Sequence, residues 1–501
     1  MRAGPAVSLR WLTSAAAIGV VACGSNGDGT GVTPPPPPPP PPPPVVSGRL
    51  YAFTQWDSTP PGSAAVGPGD TARFEISVQL QQSRTWVGFA FTGAAPYRDS
   101  IQIPESLGTV VRVLVKLTAP PRFRSALTVT GFARDPAGRY VDAVLAGNPL
   151  SLYDTVTRPV LTASLDSACS VALAGVVPFD GCDLTVDTKR NVAYFSQPGG
   201  ARIAVVSLRT MAYGPPIPAP GIVAGLDLSA DGDSLLVALP ALRQIGVVDL
   251  TTAPPTWRLV DITADTTPWR RPYAVRVAAA NQVLIGLTRK PYEPPSTDPV
   301  QVIGYDLATG TQRARSEAAP LSDLSVATPF VRSTDRTRIM LFLDSRCCFS
   351  VDGQVYTAQS DAFVSQGGLF YYGAGASVSA GRTGDWFLVK GNLFNHSLLQ
   401  VGYVDPPGDA WVSALSPAAD TGYFAFRAGV LRTSLADGVT LEKIVLPETP
   451  TRLTLLPGGA QILARSATRA YLVQLDGPAL AAVPPGAPPA LQAAVRVERI
   501  P

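Results

Sequence analysis

Leu226-Asp-Leu-Ser229-Ala-Asp231-Gly232-Asp-Ser-Leu235-Leu236-Val237, followed by Ile245-Gly-Val-Val-Asp249-Leu250, is the stretch on which the reading of this chain turns. Its apolar residues come in short runs of strand length, and Ser229-Ala-Asp231-Gly232 supplies the turn chemistry that reverses a chain between two of them. The unit is therefore strand, tight turn, strand, then a third strand ending in Asp-Leu. It returns upstream as Leu184-Thr-Val186-Asp187 with Val192-Ala-Tyr194 and residues 203–208. Downstream it returns as Pro272-Tyr-Ala-Val275-Arg-Val277 with Val283-Leu-Ile285 and Val302-Ile-Gly-Tyr-Asp306-Leu307. Fainter copies begin near Pro329-Phe-Val331, Val378-Ser379, Val412-Ser-Ala-Leu-Ser416-Pro417 and Thr451-Arg-Leu453, the last followed by Pro457-Gly458-Gly459 and Tyr471-Leu-Val-Gln-Leu-Asp476.

The equivalent positions Val186, Ser229, Val277, Ser333, Ser379, Ser416 and Leu456 recur on average about every 45 residues, the length of one four-stranded propeller blade. Seven units predict a seven-bladed β-propeller over residues 165–501, with six or eight blades as alternatives. The Leu-Ser-x-Asp-Gly turn and the Val-Val-Asp-Leu strand end resemble the YVTN and lactonase-like propellers. They differ from WD40, whose Gly-His and Trp-Asp signatures are absent. Asp231-Gly232 reads as a hairpin turn supplying positive φ rather than as a calcium site. Two further strand-like runs flank the repeat, residues 160–165 and residues 493–500, and one or both are expected to complete the last blade and close the ring.

Residues 45–160 carry a different pattern. Phe74, Ile76, Val78 and Leu80 alternate with Arg73, Glu75, Ser77 and Gln79, and Val111, Val113, Val115 and Leu117 alternate in the same way, the period of a strand with one buried face. With further runs at residues 50–55, 86–91, 127–133 and 152–156, separated by Gly/Pro/Asp punctuation, the segment predicts an all-β, immunoglobulin-like sandwich. The stretch from Leu127 to Tyr140 resembles the hairpin of bacterial Ig-like repeats, which implies a spacing or adhesive role. The segment contains no cysteine.

The N-terminus reads as an address. Arg2 and Arg10 precede a short apolar run, residues 15–21, that ends in Val20-Val21-Ala22-Cys23, the layout of a signal peptide over residues 1–22. The small and branched residues before Cys23 resemble the lipobox of bacterial lipoproteins, which implies cleavage at Cys23, a lipid on its thiol and anchorage to a membrane in the cell envelope. Residues 23–44 are then a tether and stalk. Gly24-Ser25-Asn26-Gly27-Asp28-Gly29 is flexible, and the unbroken prolines of residues 34–44 form a polyproline II spacer of roughly 34 Å.

Composition narrows the chemistry. The formal charge is only +3 and the basic residues are scattered, which disfavours a nucleic-acid partner. His396 is the sole histidine, so no multi-histidine metal site is available and any triad or histidine base must use that residue. It lies in Asn395-His396-Ser397, expected on an outer connection of blade five. Of the cysteines after Cys23, Cys169 and Cys182 are expected to bridge locally and Cys347-Cys348 to form a vicinal pair, with crossed pairs as the alternative. Some quinoprotein propellers carry such a vicinal disulfide, but the repeated tryptophan motifs of that family are missing here, and no cofactor is implied.

Propeller ligands bind at the mouth of the central channel. The loops leading into the innermost strands offer Trp269, Arg270, Arg271 and Tyr273, then Phe330 and Arg332, then Trp411, then Arg452, a set of cations and aromatics suited to carboxylates or sugars. The expected function is a lipid-anchored envelope protein that binds a protein or glycan at the propeller face. An extracytoplasmic lactonase, lyase or hydrolase is the alternative.

Overall fold

The computed structural model describes residues 49–55, 65–79, 85–93, 97–103, 110–118, 125–134, 140–141, 148–165, 183–197, 201–265, 270–288, 302–318, 330–344, 351–369, 378–389, 391–404, 412–436, 438–475 and 495–500. Among these the structure is all-β apart from one 3₁₀ turn, Ala279–Asn281, and no helix is long and apolar enough to cross a membrane. Cys23, Cys169, Cys182, Cys347, Cys348, Trp269 and Trp411 lie outside the described residues.

The N-terminal strands are β1 (Arg49–Gln55), β2 (Ala65–Val66), β3 (Thr71–Gln79), β4 (Thr85–Gly93), β5 (Tyr97–Ile103), β6 (Val110–Thr118), β7 (Ser125–Arg134), β8 (Tyr140–Val141) and β9 (Asn148–Leu152). They build two sheets, β1-β3-β6 and β2-β9-β7-β4-β5, with β8 alongside β7. The run expected as one strand over residues 152–156 divides instead at the buried Tyr153. Beyond it lie β10 (Asp154–Val156) and β11 (Val160–Ser164), which both belong to sheets of the repeat region.

The repeat region makes seven blades. Blade one is β12 (Leu184–Asp187), β13 (Val192–Gln197), β14 (Arg202–Ser207) and β15 (Ile217–Pro218); blade two is β16 (Leu226–Leu228), β17 (Ser234–Leu239), β18 (Gln244–Asp249) and β19 (Thr256–Asp261). Blade three is β20 (Arg271–Val277), β21 (Gln282–Thr288), β22 (Val302–Asp306) and β23 (Gln312–Ala314); blade four is β24 (Phe330–Arg332), β25 (Arg338–Asp344), β26 (Val351–Thr357) and β27 (Ala362–Leu369). Blade five is β28 (Val378–Ala380), β29 (Trp386–Val389), β30 (Asn392–Asn395) and β31 (Gln400–Tyr403); blade six is β32 (Ser413–Leu415), β33 (Thr421–Ala425), β34 (Gly429–Ser434) and β35 (Thr440–Val445). Blade seven has three strands from its own segment, β36 (Arg452–Leu455), β37 (Gln461–Arg465) and β38 (Arg469–Gln474). Each blade is an antiparallel meander in chain order, so the protein carries a seven-bladed β-propeller.

Apolar clusters fill the seven gaps between successive blades, because the buried face of each strand looks toward the next sheet. Tyr194 and Ile203 of blade one meet Leu226, Leu235 and Val237 of blade two, and the pattern continues around the ring. The last cluster joins Leu456, Leu463, Ala470 and Leu472 of blade seven to Leu184, Phe195 and Val206 of blade one, together with Ala163 and Leu165.

Of the two expected closing strands, only one closes the ring. β11 covers the open edge of β38 in antiparallel register, from Val160 opposite Val473 to Ser164 opposite Arg469. The C-terminal strand β39 (Val495–Ile500) pairs instead with β6, Val495 opposite Leu117, and finishes the first N-terminal sheet as β1-β3-β6-β39. Both pairings remove an exposed edge, and the edge of β38 is already taken when β39 is reached in the chain. β10 adds a parallel fifth strand outside β35 of blade six. Between β10 and β11, Arg158 Nη2 donates to Glu442 Oε1 at 2.9 Å and to Oε2 at 3.0 Å in a buried pair.

Candidate functional site

The hairpin from the innermost strand to the second strand of each blade fixes a common register. Ser229 N donates to Ser234 O, Ser333 N to Arg338 O, Gly381 N to Trp386 O, Ser416 N to Thr421 O and Leu456 N to Gln461 O, with Ala278 N to Gln282 O one residue shorter. In blade one, Asp187 stands opposite Val192. The equivalent residues are thus Asp187, Ala278 and Gly381 rather than the expected Val186, Val277 and Ser379. Asp231 and Gly232 are turn residues as expected: Gly232 has φ +75°, and Asp231 accepts from Ser229 Oγ at 2.5 Å and Asp233 N at 2.9 Å.

Two residues before each hairpin position lies one ring around the channel: Thr185, Asp227, Arg276, Val331, Ser379, Ala414 and Thr454. All but Ala414 line a cavity of about 490 Å³, to which blade six contributes Ser413 and the hairpin turns add Thr188, Gly232, Arg336 and Pro457. The charged lining residues come from blades one to four and, on blade seven, Arg452, while blades five to seven otherwise contribute Ser379, Ser413 and Thr454.

Two buried aspartates organise the cationic wall. Asp183, just before β12, receives Arg276 Nη1 at 2.7 Å and Nη2 at 3.0 Å, Arg452 Nη2 at 2.9 Å, and the backbone N–H groups of Leu184 and Leu226, both at 3.0 Å. Burial alone would raise its pKa. The guanidinium of Arg276, then that of Arg452, overcome this and hold the carboxyl well below the usual carboxylate range. Asp227 is built alike: Arg332 Nε and Nη2 clamp it at 2.9 and 3.1 Å, and Leu228 N, Val277 N and Thr185 Oγ1 donate at 2.9, 2.9 and 3.2 Å. Burial is opposed there by Arg332, Arg336 and Arg276, and its pKa is also lowered.

Of the sequence-expected ligands, Phe330, Arg332 and Arg452 line this cavity. The others described here do not. Arg270 is buried with Nη1 3.5 Å from Asp265, and Arg271 Nη1 donates to Arg270 O at 3.2 Å. Tyr273 packs in the apolar cluster between blades two and three, where burial pushes its hydroxyl up to about 12. His396 stands between β30 and β31 with Nδ1 3.8 Å from Asp385 Oδ1, about half exposed. Asp183, Asp227, Arg276 and Arg336 were not among the expected ligands. The signal of Asp227 and Arg276 in the sequence is a charge set between apolar neighbours of an innermost strand, Leu226-Asp227-Leu228 and Val275-Arg276-Val277, which Asp183 and Arg336 lack.

No family description matches the chain, and no curated protein matches it. Solved structures similar to it include virginiamycin B lyase from Staphylococcus aureus, at 13% identity and TM-score 0.44, covering 64% of this chain and 99% of that one. Hydrazine synthase from Kuenenia stuttgartiensis is similar at 12% identity and TM-score 0.46 over 58% of this chain and 95% of that one. The β-propeller domain of Cps50 (Swd1) from Myceliophteria thermophila is similar at 12% identity and TM-score 0.44, over 63% of this chain and all of that one.

Proposed function

We propose that the protein is a lipid-anchored binding module of the cell envelope. Cys23 carries the lipid, residues 23–44 hold the body off the membrane, the N-terminal sheets act as an Ig-like spacer, and the propeller offers its channel to a protein or glycan. One observation supports binding over turnover. Among the described residues, each carboxylate that lines the cavity is already engaged, Asp227 by Arg332, Asp187 by Arg190 Nη1 at 2.9 Å and Asp231 by its own turn, and Asp183 behind the wall is engaged by Arg276. A general base or nucleophile needs a carboxylate free to take a proton or attack, and the oxygens of these four are already taken up by hydrogen bonds or ion pairs.

The test has two arms. Cys23→Ser is expected to leave the precursor uncleaved and unlabelled by a radioactive fatty acid, and equal labelling of the variant would end the lipoprotein assignment. Full-length protein in detergent, passed over immobilised envelope glycans and proteins, is expected to retain a ligand unchanged. Release of a chemically altered ligand would favour the lyase or hydrolase alternative.

A further inference from the structure

We infer that the propeller channel takes a sugar bearing a single carboxylate, a uronate, and that Arg336 receives that carboxylate. This rests on the binding function proposed above and narrows its ligand to an acidic glycan.

Among the described residues, five cations line the cavity, Lys189, Arg276, Arg332, Arg336 and Arg452. Four meet a carboxylate: Lys189 with Asp233 at 2.5 Å, Arg276 with Asp183 at 2.7 Å, Arg332 with Asp227 at 2.9 Å and Arg452 with Asp183 at 2.9 Å. Arg336 meets none among the described residues. Its Nη1 donates to two carbonyls at the ends of innermost strands, Leu228 O at 2.5 Å and Val277 O at 3.4 Å, which leaves Nε and Nη2 for a ligand. The residue is also pre-positioned. It occupies the left-handed region, φ +66°, in the blade-four hairpin, where its N–H donates to Ser333 O at 3.1 Å and its carbonyl accepts from Ala279 N at 2.8 Å.

The surroundings of Arg336 favour an anion. Burial first, then the like charge of Arg332, pull its pKa down to about 10, against weaker opposition from Asp227 and Asp231. An incoming carboxylate removes that penalty, since a partly desolvated guanidinium gains most from a charge-assisted pair. One carboxylate fits better than a phosphate dianion. The neighbouring guanidinium, Arg332, is already clamped on Asp227, so only one is available.

The facing wall supplies the other half of the ligand. Ser379 and Thr454 line the cavity, and Ser379 Oγ is buried with no hydrogen-bond partner among the described residues, a hydroxyl left for a ligand group that displaces its cover. Hydroxyls both donate and accept, which suits a polyol. A cavity of about 490 Å³ lies in the size range of small-ligand sites and accommodates one or two sugar rings.

The experiment is calorimetric titration of the full-length protein with digalacturonate, with uncharged galactobiose and with inorganic phosphate. Digalacturonate is expected to bind one to one and galactobiose at least about tenfold more weakly, and Arg336→Gln is expected to lose about tenfold or more in digalacturonate affinity at an unchanged Tm. Arg336→Lys should lose less. If Arg336→Gln does not fold, Ser379→Val decides in its place and must weaken digalacturonate. Equal binding of galactobiose, tighter binding of phosphate, wild-type affinity in Arg336→Gln, or no binding of digalacturonate up to about 10 mM would each overturn the assignment. A retained envelope protein or neutral glycan alongside such a result would leave the binding function standing and remove only its uronate ligand.

Discussion

The strands at residues 160–164 and 495–500 form an instructive pair, because each leaves the part of the chain it adjoins and completes a sheet at the other end. β11 follows the N-terminal sheets in sequence yet becomes the outermost strand of blade seven, five residues opposite β38. β39 follows the propeller yet becomes the edge of the first N-terminal sheet, opposite β6. The consequences differ. β11 carries the buried Ala163 into the cluster that joins blade seven to blade one, so it takes part in closing the ring. β39 extends a sheet that already has three strands of its own. Closure of a propeller thus depends on the strand that bridges its two ends, not on whichever strand lies last in the chain. The pairing of Val160 with Val473 is also a long-range contact, of the kind whose loop-closure entropy slows folding.

Breaking the closing strand should have the largest effect. Ala163→Pro removes a ladder donor and forces a ring into a fully packed interblade site, and it is expected to cost the propeller about 4 kcal/mol or more, read as a loss of denaturation midpoint. A midpoint within error of wild type would mean that β11 has no part in closure.

Next comes the linker between β10 and β11. Arg158→Ala leaves Glu442 as a buried carboxylate, and a loss of about 3 kcal/mol is expected. Arg432, 3.5 Å from Glu442 Oε1, keeps the loss from being larger. Chemical denaturation of Arg158→Ala and of the double variant Arg158→Ala/Glu442→Leu provides the check, because the apolar pair should recover most of the stability.

The channel gives a smaller and pH-dependent effect. Asp183 has a folded pKa held below its unfolded value, so its contribution is complete above the unfolded pKa and is lost as pH falls below it toward the folded one. Asp183→Asn is expected to cost about 2 kcal/mol at neutral pH, with the gap in Tm steady down to about pH 5 and closing below about pH 4. A gap that persists unchanged to low pH would show that the charge of Asp183 is not what stabilises the site.

The smallest effect on the propeller belongs to the other end strand. Deleting residues 495–501 should leave the propeller transition within about 0.5 kcal/mol of wild type while destabilising the N-terminal sheets. Loss of the propeller transition would reverse the contrast between the two strands.

How much of this was legible depended on local punctuation. Blade two announces itself because Ser229, Asp231 and Gly232 make a complete turn within four residues, and the repeat period follows from its copies. Blades one, three and five lack that turn, and there the expected positions Val186, Val277 and Ser379 fell one or two residues short of the hydrogen-bonded Asp187, Ala278 and Gly381. The site was legible in part. Phe330, Arg332 and Arg452 are legible because they lie in or beside the loops that lead into short innermost strands. Asp183 and Arg276 are not, because they are 93 positions apart and meet only once blades one to three pack together. The loop before β20 suggests Arg270, Arg271 and Tyr273 at the channel, whereas Tyr273 points into the packing between blades two and three. For the end strands, alternation of Val495 and Val497 signals a strand, but an edge strand carries no mark of which edge it will join.

Native-state hydrogen exchange, resolved to peptides, tests the strand exchange most directly. The amides of residues 160–164 should exchange with the same free energy as those of residues 469–474 in blade seven, as one cooperative unit, while residues 495–500 exchange with residues 110–118 of the N-terminal sheet. Rapid exchange of residues 160–164 while residues 469–474 stay protected, or protection of residues 495–500 in step with blade seven, would contradict it.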